Sequence, residues 1–145
     1  MNSPSAVKVE RHVKVPPATV WPYLADGALW ARWQGVRAHV DARPGGACEI
    51  EMPNGTTAAG TVLVADPPHR LVFTWGFAGA PAEMAPGSST VEITLTPVGD
   101  GTLIALVHHD LPEPMQPDHE KGWHHYLDRL THVATGDDPE PDRGP

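Results

Sequence analysis

Two histidines are the residues of this 145-residue chain best suited to chemistry. His108 ends an alternating segment, on the face it shares with Ile104 and Leu106; His119 lies one helical turn before Trp123. An imidazole titrates near neutral pH. On the wall of an apolar hollow, His108 could therefore donate a hydrogen bond to a ligand carbonyl or act as general acid or base. The competing reading is that it bonds a neighbouring group and holds a strand-to-helix corner, as buried polar groups usually do. Trp30, Trp33, Phe73, Trp75, Phe77 and Trp123 could line a pocket for a flat, apolar molecule, or could be ordinary core, which aromatics dominate in any case. Cys48, Ile50 and Leu127, on the apolar faces of their segments, complete the candidate ligand-binding set with His108 and His119.

Other chemistries fit the sequence less well. Nine histidines invite a metal reading, but His108–His109 and His124–His125 are adjacent pairs. Neighbours on a strand or helix point apart, so neither pair is a natural chelate, and no metal or other cofactor is expected. Cys48 lies on the apolar side of its strand, where a thiol is inert. Ser88 and Ser89 fall at a loop end with no histidine or acid beside them in sequence, so no serine triad is read. Gly45-Gly46 follows a proline and precedes a strand, which is not a phosphate-cradling arrangement. Arg11 and Glu49 could bring charge to a cavity mouth, depending on strand facing.

The elements that must position these residues follow from periodicity. Val7, Val9 and Val13 alternate with polar residues in a strand over 6–14. Pro16-Pro17 opens a short helix over 18–25, in which Pro22 predicts a kink or a 3₁₀ piece. Asp26 can cap a second short helix over 27–33. Six further segments alternate with period two, over 36–41, 48–52, 57–65, 70–77, 89–97 and 102–109, and turns rich in Pro, Gly, Asn and Asp join them. Residues 78–88 read as a long loop. Pro117 and Gly136 bound a long helix whose Trp123, Tyr126, Leu127, Leu130, Val133 and Ala134 form one apolar stripe. Turn-linked neighbours imply an antiparallel sheet. Seven such strands curl, and only the long helix can fill the concave side, leaving room for a cavity between them.

At this length one domain is expected, over 1–136, followed by an acidic, proline-rich tail over 137–145 that is expected to be disordered for want of apolar anchors. The single cysteine forbids an internal disulfide and suits a reducing, cytoplasmic location. Met1–Ser5 shows no leader pattern, and no stretch has the length to span a bilayer. A formal charge of −8 disfavours nucleic acid or an anionic membrane as partner.

Several short motifs occur in a familiar order. They are Pro16-Pro17-Ala18-Thr19-Val20-Trp21, Trp33, Asp41-Ala42-Arg43-Pro44-Gly45-Gly46, Gly60-Thr61-Val62, Asp66 through Trp75, Gly101-Thr102 with His108, and Gly122-Trp123. In these the chain resembles the START, polyketide-cyclase and Bet v 1-like superfamily, and within it the branch named for the activator of heat-shock-protein-90 ATPase. The resemblance runs from about Val7 to Leu130. It departs at Pro22, which interrupts the first short helix, and at Cys48, where the branch usually has a bulkier residue. It implies an α+β helix-grip fold: a curved seven-stranded antiparallel sheet wrapped around a long C-terminal helix, with two short helices between strands 1 and 2. That fold hosts many functions. The favoured expectation is a small-molecule binding protein whose partner is a hydrophobic, lipid-like or polyketide-like ligand. The alternatives are a cavity enzyme (cyclase, dehydratase or hydrolase) using His108, and an interaction module that stimulates a chaperone ATPase. Sheet edges leave a homodimer open.

Overall fold

Residues 6–145 are described by the computed structural model; Met1–Ser5 lie outside them. Seven strands form one antiparallel sheet: β1 (Val7–Val13), β2 (Arg37–Val40), β3 (Ala47–Glu51), β4 (Thr57–Asp66), β5 (Arg70–Trp75), β6 (Ser89–Val98) and β7 (Gly101–His109). Their spatial order is β1-β7-β6-β5-β4-β3-β2. Only β1 leaves its sequence neighbours, to pair with β7; every other pair is a hairpin. Three one-turn helices stand between β1 and β2, and the long α4 (Gln116–Ala134) follows β7. The architecture is the expected α+β helix grip, a curved sheet around a C-terminal helix.

The helices between β1 and β2 are more broken than periodicity suggests. Pro22 has no N–H to give, so the expected helix over 18–25 divides at Trp21 into α1 (Pro17–Val20) and α2 (Pro22–Ala25). The Asp26 side chain caps α3 (Gly27–Trp30), accepting from Ala28 N–H at 2.8 Å and Leu29 N–H at 3.2 Å. This helix ends at Trp30, three residues early, because Gly35 must turn the chain with φ 84° to reach β2. β5 likewise stops at Trp75, not Phe77. The chain there passes so close to Ala85 that a Cβ on Gly76 would strike its carbonyl. Phe77 is held instead by an isolated bridge to Ala58. The loop over 78–88 contains a 3₁₀ turn, Ala82–Met84, whose Met84 enters the core.

α4 turns its apolar stripe inward: Trp123, Leu127, Leu130 and Val133 are buried. The polar interruption of β1 finds its reason here. Arg11 lies under α4, its Nε donating to Asp128 Oδ1 at 2.6 Å and its Nη2 standing 2.9 Å from His124 Nδ1. It does not line the cavity. The pair is partly solvated, so Arg11→Met is expected to cost no more than about 1 kcal/mol in urea unfolding.

A cavity between sheet and helix

The site begins with β5 and α4. Alternation along β5 sends Leu71, Phe73 and Trp75 to one face, and the helical period brings Trp123 and Tyr126 above them. Trp75 and Trp123 meet with ring centroids 5.2 Å apart, and Trp75 and Phe77 meet edge to face at 5.8 Å. His119 covers Phe77 at 6.0 Å and lies 6.5 Å from Trp75. These four rings wall a cavity of about 490 Å³. The turn after β3 contributes Met52, Pro53, Asn54 and Thr56, and the chain after α3 contributes Gln34. Asp118, Gly122 and Tyr126 of α4 and Arg143, Gly144 and Pro145 of the C-terminal segment complete the lining.

Of the residues singled out from sequence, Trp75, Phe77, His119 and Trp123 therefore share one wall. Trp30, Trp33, Cys48, Ile50, Phe73 and Leu127 are fully buried in the core, outside the lining. Trp30 and Trp33 pack on each other at 4.9 Å, and Trp30 meets Phe73 edge to face at 5.5 Å. Their indole N–H groups are spent locally, on the Gln34 side chain and the Tyr23 carbonyl. Burial, then the charge of Glu49, pushes the Cys48 thiol up to about 12, so no thiolate is available at neutral pH. Among the described residues, no three His, Cys, Asp or Glu side chains converge as a metal would require.

His108 sits behind the wall with no exposure. Trp123 Nε1–H donates to its Nδ1 at 3.0 Å. An indole can only donate, so Nδ1 carries no proton and Nε2 must. Nε2–H then donates to Ser89 Oγ at 2.8 Å, and the Ser89 hydroxyl donates to the Trp75 carbonyl at 3.2 Å. Ser89 is thus fixed beside a histidine, contrary to the reading of its neighbourhood from sequence. Strand pairing causes this, because Ser89 opens β6, opposite Trp75 and two residues from the Val91–His108 pair. The arrangement is not a nucleophile and base: His108 gives its proton to Ser89 and has no lone pair left to take one. Burial, then the neighbouring His119 and His109, drives the His108 pKa down to about 3. Both ring nitrogens are engaged, so the imidazole ties β7, β6, β5 and α4 together as a neutral link.

His119 differs. Its Nδ1 stands 3.0 Å from the Met115 carbonyl, which makes Nδ1 the donor and leaves Nε2 as a lone-pair acceptor. Burial lowers its pKa, so the ring is neutral at pH 7. Trp75 Nε1–H, buried at the same wall, has no partner. Two residues of the wall thus carry an uncharged polar atom outside the hydrogen bonds of the fold, a donor on Trp75 and an acceptor on His119. A Cβ on Gly122 would meet open space. Gly122→Ala is therefore expected to stabilise α4 by about 1 kcal/mol in thermal unfolding, while narrowing the cavity beside Trp123.

Periodicity alone could not find the lining from the Met52–Thr56 turn or from Arg143–Pro145, which arrive from remote parts of the chain. Tyr126 was legible only as part of the helix stripe.

Comparison with known proteins places these features. A family model described as activator of Hsp90 ATPase homolog 1-like protein matches residues 14–135. No curated protein matches the chain. Among solved structures, the chain is 42% identical to the AHSA1-like protein of Rhizobium etli, covering 94% of this chain and 86% of that one at a TM-score of 0.71. It is 30% identical to CalU16 from Micromonospora echinospora, covering 90% and 76% at a TM-score of 0.74. DynU16, a protein in the dynemicin biosynthetic locus, shares the fold at a TM-score of 0.84 and 22% identity; the match covers 97% of this chain and 51% of DynU16.

Proposed function

Because the chain belongs to the activator of Hsp90 ATPase homolog 1-like family, whose fold favours ligand binding in general, we propose that it binds an uncharged, flat, largely apolar small molecule between sheet and helix. The observation that carries this reading is the aromatic wall of the 490 Å³ cavity, with its unpaired Trp75 Nε1–H. A volume of this size suits a ligand of a few fused rings. Buried donors are rarely left unpaired, and a ligand oxygen at Trp75 would satisfy this one. The lining is largely apolar, with a neutral His119 and with Asp118 and Arg143 as its charged members, so it favours a ligand whose bulk is apolar.

Catalysis through His108 is not part of the proposal, because both of its nitrogens are already bonded. The family's name does not by itself assign chaperone stimulation to this chain. Among the described residues no helix is long and apolar enough to cross a membrane. The proposal takes the protein as cytoplasmic, with any homodimer formed through the sheet edges at β1 or β2.

Titration with anthracene and anthrone, followed by tryptophan fluorescence, tests the reading. Both are expected to bind saturably, the ketone more tightly. Trp75→Phe should remove about 1 kcal/mol of the ketone's advantage and leave anthracene nearly unchanged. Absence of saturable binding by either compound would refute the proposal.

A further inference from the structure

The nine residues after Gly136 contain no large apolar side chain that could dock them, and they form neither helix nor strand. Even so, the Asp142 side chain has no exposure. A carboxylate withdrawn from water is tolerated only when its oxygens are bonded. Asp142 Oδ2 accepts from Gly35 N–H at 2.7 Å, across 107 residues of sequence, and Oδ1 accepts from Gly144 N–H at 2.8 Å. Two α4 side chains close around the same group. His125 Nε2 lies 3.8 Å from Oδ1. The Tyr126 hydroxyl makes no hydrogen bond, but its pKa is raised by burial first and by the Asp142 charge second. Outside this point the tail is held more lightly. Arg129 Nη1 donates to the Glu140 carbonyl at 2.8 Å, and Arg32 meets Asp138 at 3.5 Å, exposed to solvent.

Asp142 immediately precedes Arg143, Gly144 and Pro145, which line the cavity beside Gln34 and Tyr126. We propose that Asp142 is the positioning residue of the binding site: its bond to Gly35 seats the C-terminal segment as a removable wall, and ligand passes more freely when that bond breaks. The inference rests on the binding reading above. Segments tied by few bonds open far more often than the sheet behind them, so releasing this wall is the cheapest way to widen a pocket already partly open to solvent. Asp142 does not touch the ligand; it acts through the three residues it places.

The test uses Asp142→Ala and Asp142→Asn in the full chain. Hydrogen exchange at the Gly35 amide is expected to quicken about tenfold or more in Asp142→Ala, with the amides of β5–β7 unchanged. Stopped-flow mixing with 1-aminoanthracene should show association and dissociation both faster by a similar factor, and acrylamide should quench tryptophan fluorescence more strongly. Asp142→Asn keeps one acceptor oxygen and should fall between. The inference is overturned if Gly35 exchange does not change, if it changes only together with the whole sheet, or if dye rates stay constant while Gly35 is released. Should the wild-type protein not bind the dye, the binding reading fails. Gly35 exchange and acrylamide access then decide by themselves whether Asp142 holds the wall in place.

Discussion

Acidification from pH 7 to pH 5 is expected to remove about 2 kcal/mol of stability, and His108 is the expected cause. In the unfolded chain this histidine takes up a proton near its ordinary pKa of 6.5; in the fold burial holds that step down to about 3. Between these values the unfolded state binds the extra proton and the native state does not, so stability rises with pH across the interval and falls as the solution is acidified. The contribution is complete above pH 6.5 and lost progressively below it, at about 1.4 kcal/mol per pH unit, until the folded group itself protonates. His119, whose pKa is also lowered by burial, adds in the same direction. Glu92 is held low by its hydrogen bond from Arg70 and contributes only at more acidic pH. Urea unfolding at pH 7, 6 and 5 measures the slope. In His108→Gln most of this slope should vanish, though the variant should be less stable at pH 7 because the bonds from Trp123 and to Ser89 are disturbed. An equal slope in the variant would show that the acid sensitivity lies elsewhere.

The largest single-residue loss is expected at Gly60. A Cβ there would fall onto the Thr74 carbonyl of the adjacent strand. Both sides of the clash are backbone, so no flexible side chain can yield. The ladder is irregular at this point: Thr61 N–H bonds the Thr74 hydroxyl at 2.8 Å, and the register shifts between Val62 and Val64. The glycine permits the close crossing that precedes the register shift. Gly60→Val is expected to destabilise by about 3 kcal/mol or more, or to prevent folding. Gly60→Ala should fall on the same side with a smaller loss. Thermal unfolding of the alanine variant checks the prediction if the valine variant does not accumulate. β4 carries β3 and β2, and with them the Met52–Thr56 turn, so even a partly folded variant should show a disturbed cavity.

The sequence by itself determined the seven strands, the antiparallel pairing of those joined by turns, the long helix and its inward stripe. Each of these follows from local periodicity and from turn residues that allow few alternatives. It also determined that Trp75, Phe77, His119 and Trp123 belong to elements that could face one another. Tertiary structure decided what they face. His108 is a bonded link and not a base because Trp123, fifteen residues away on another element, supplies a donor to one nitrogen, while strand pairing brings Ser89 to the other. Trp30 and Trp33 joined the core because the Gln34 side chain and the Tyr23 carbonyl met their N–H groups, whereas Trp75, a residue of the cavity wall, kept an unpaired donor. The tail looked anchorless because anchors are sought among apolar residues, and its one buried contact is a carboxylate on a backbone N–H. Hydrogen bonds between residues far apart in the chain leave no periodic trace, since they depend on where the folded backbone brings each donor and acceptor.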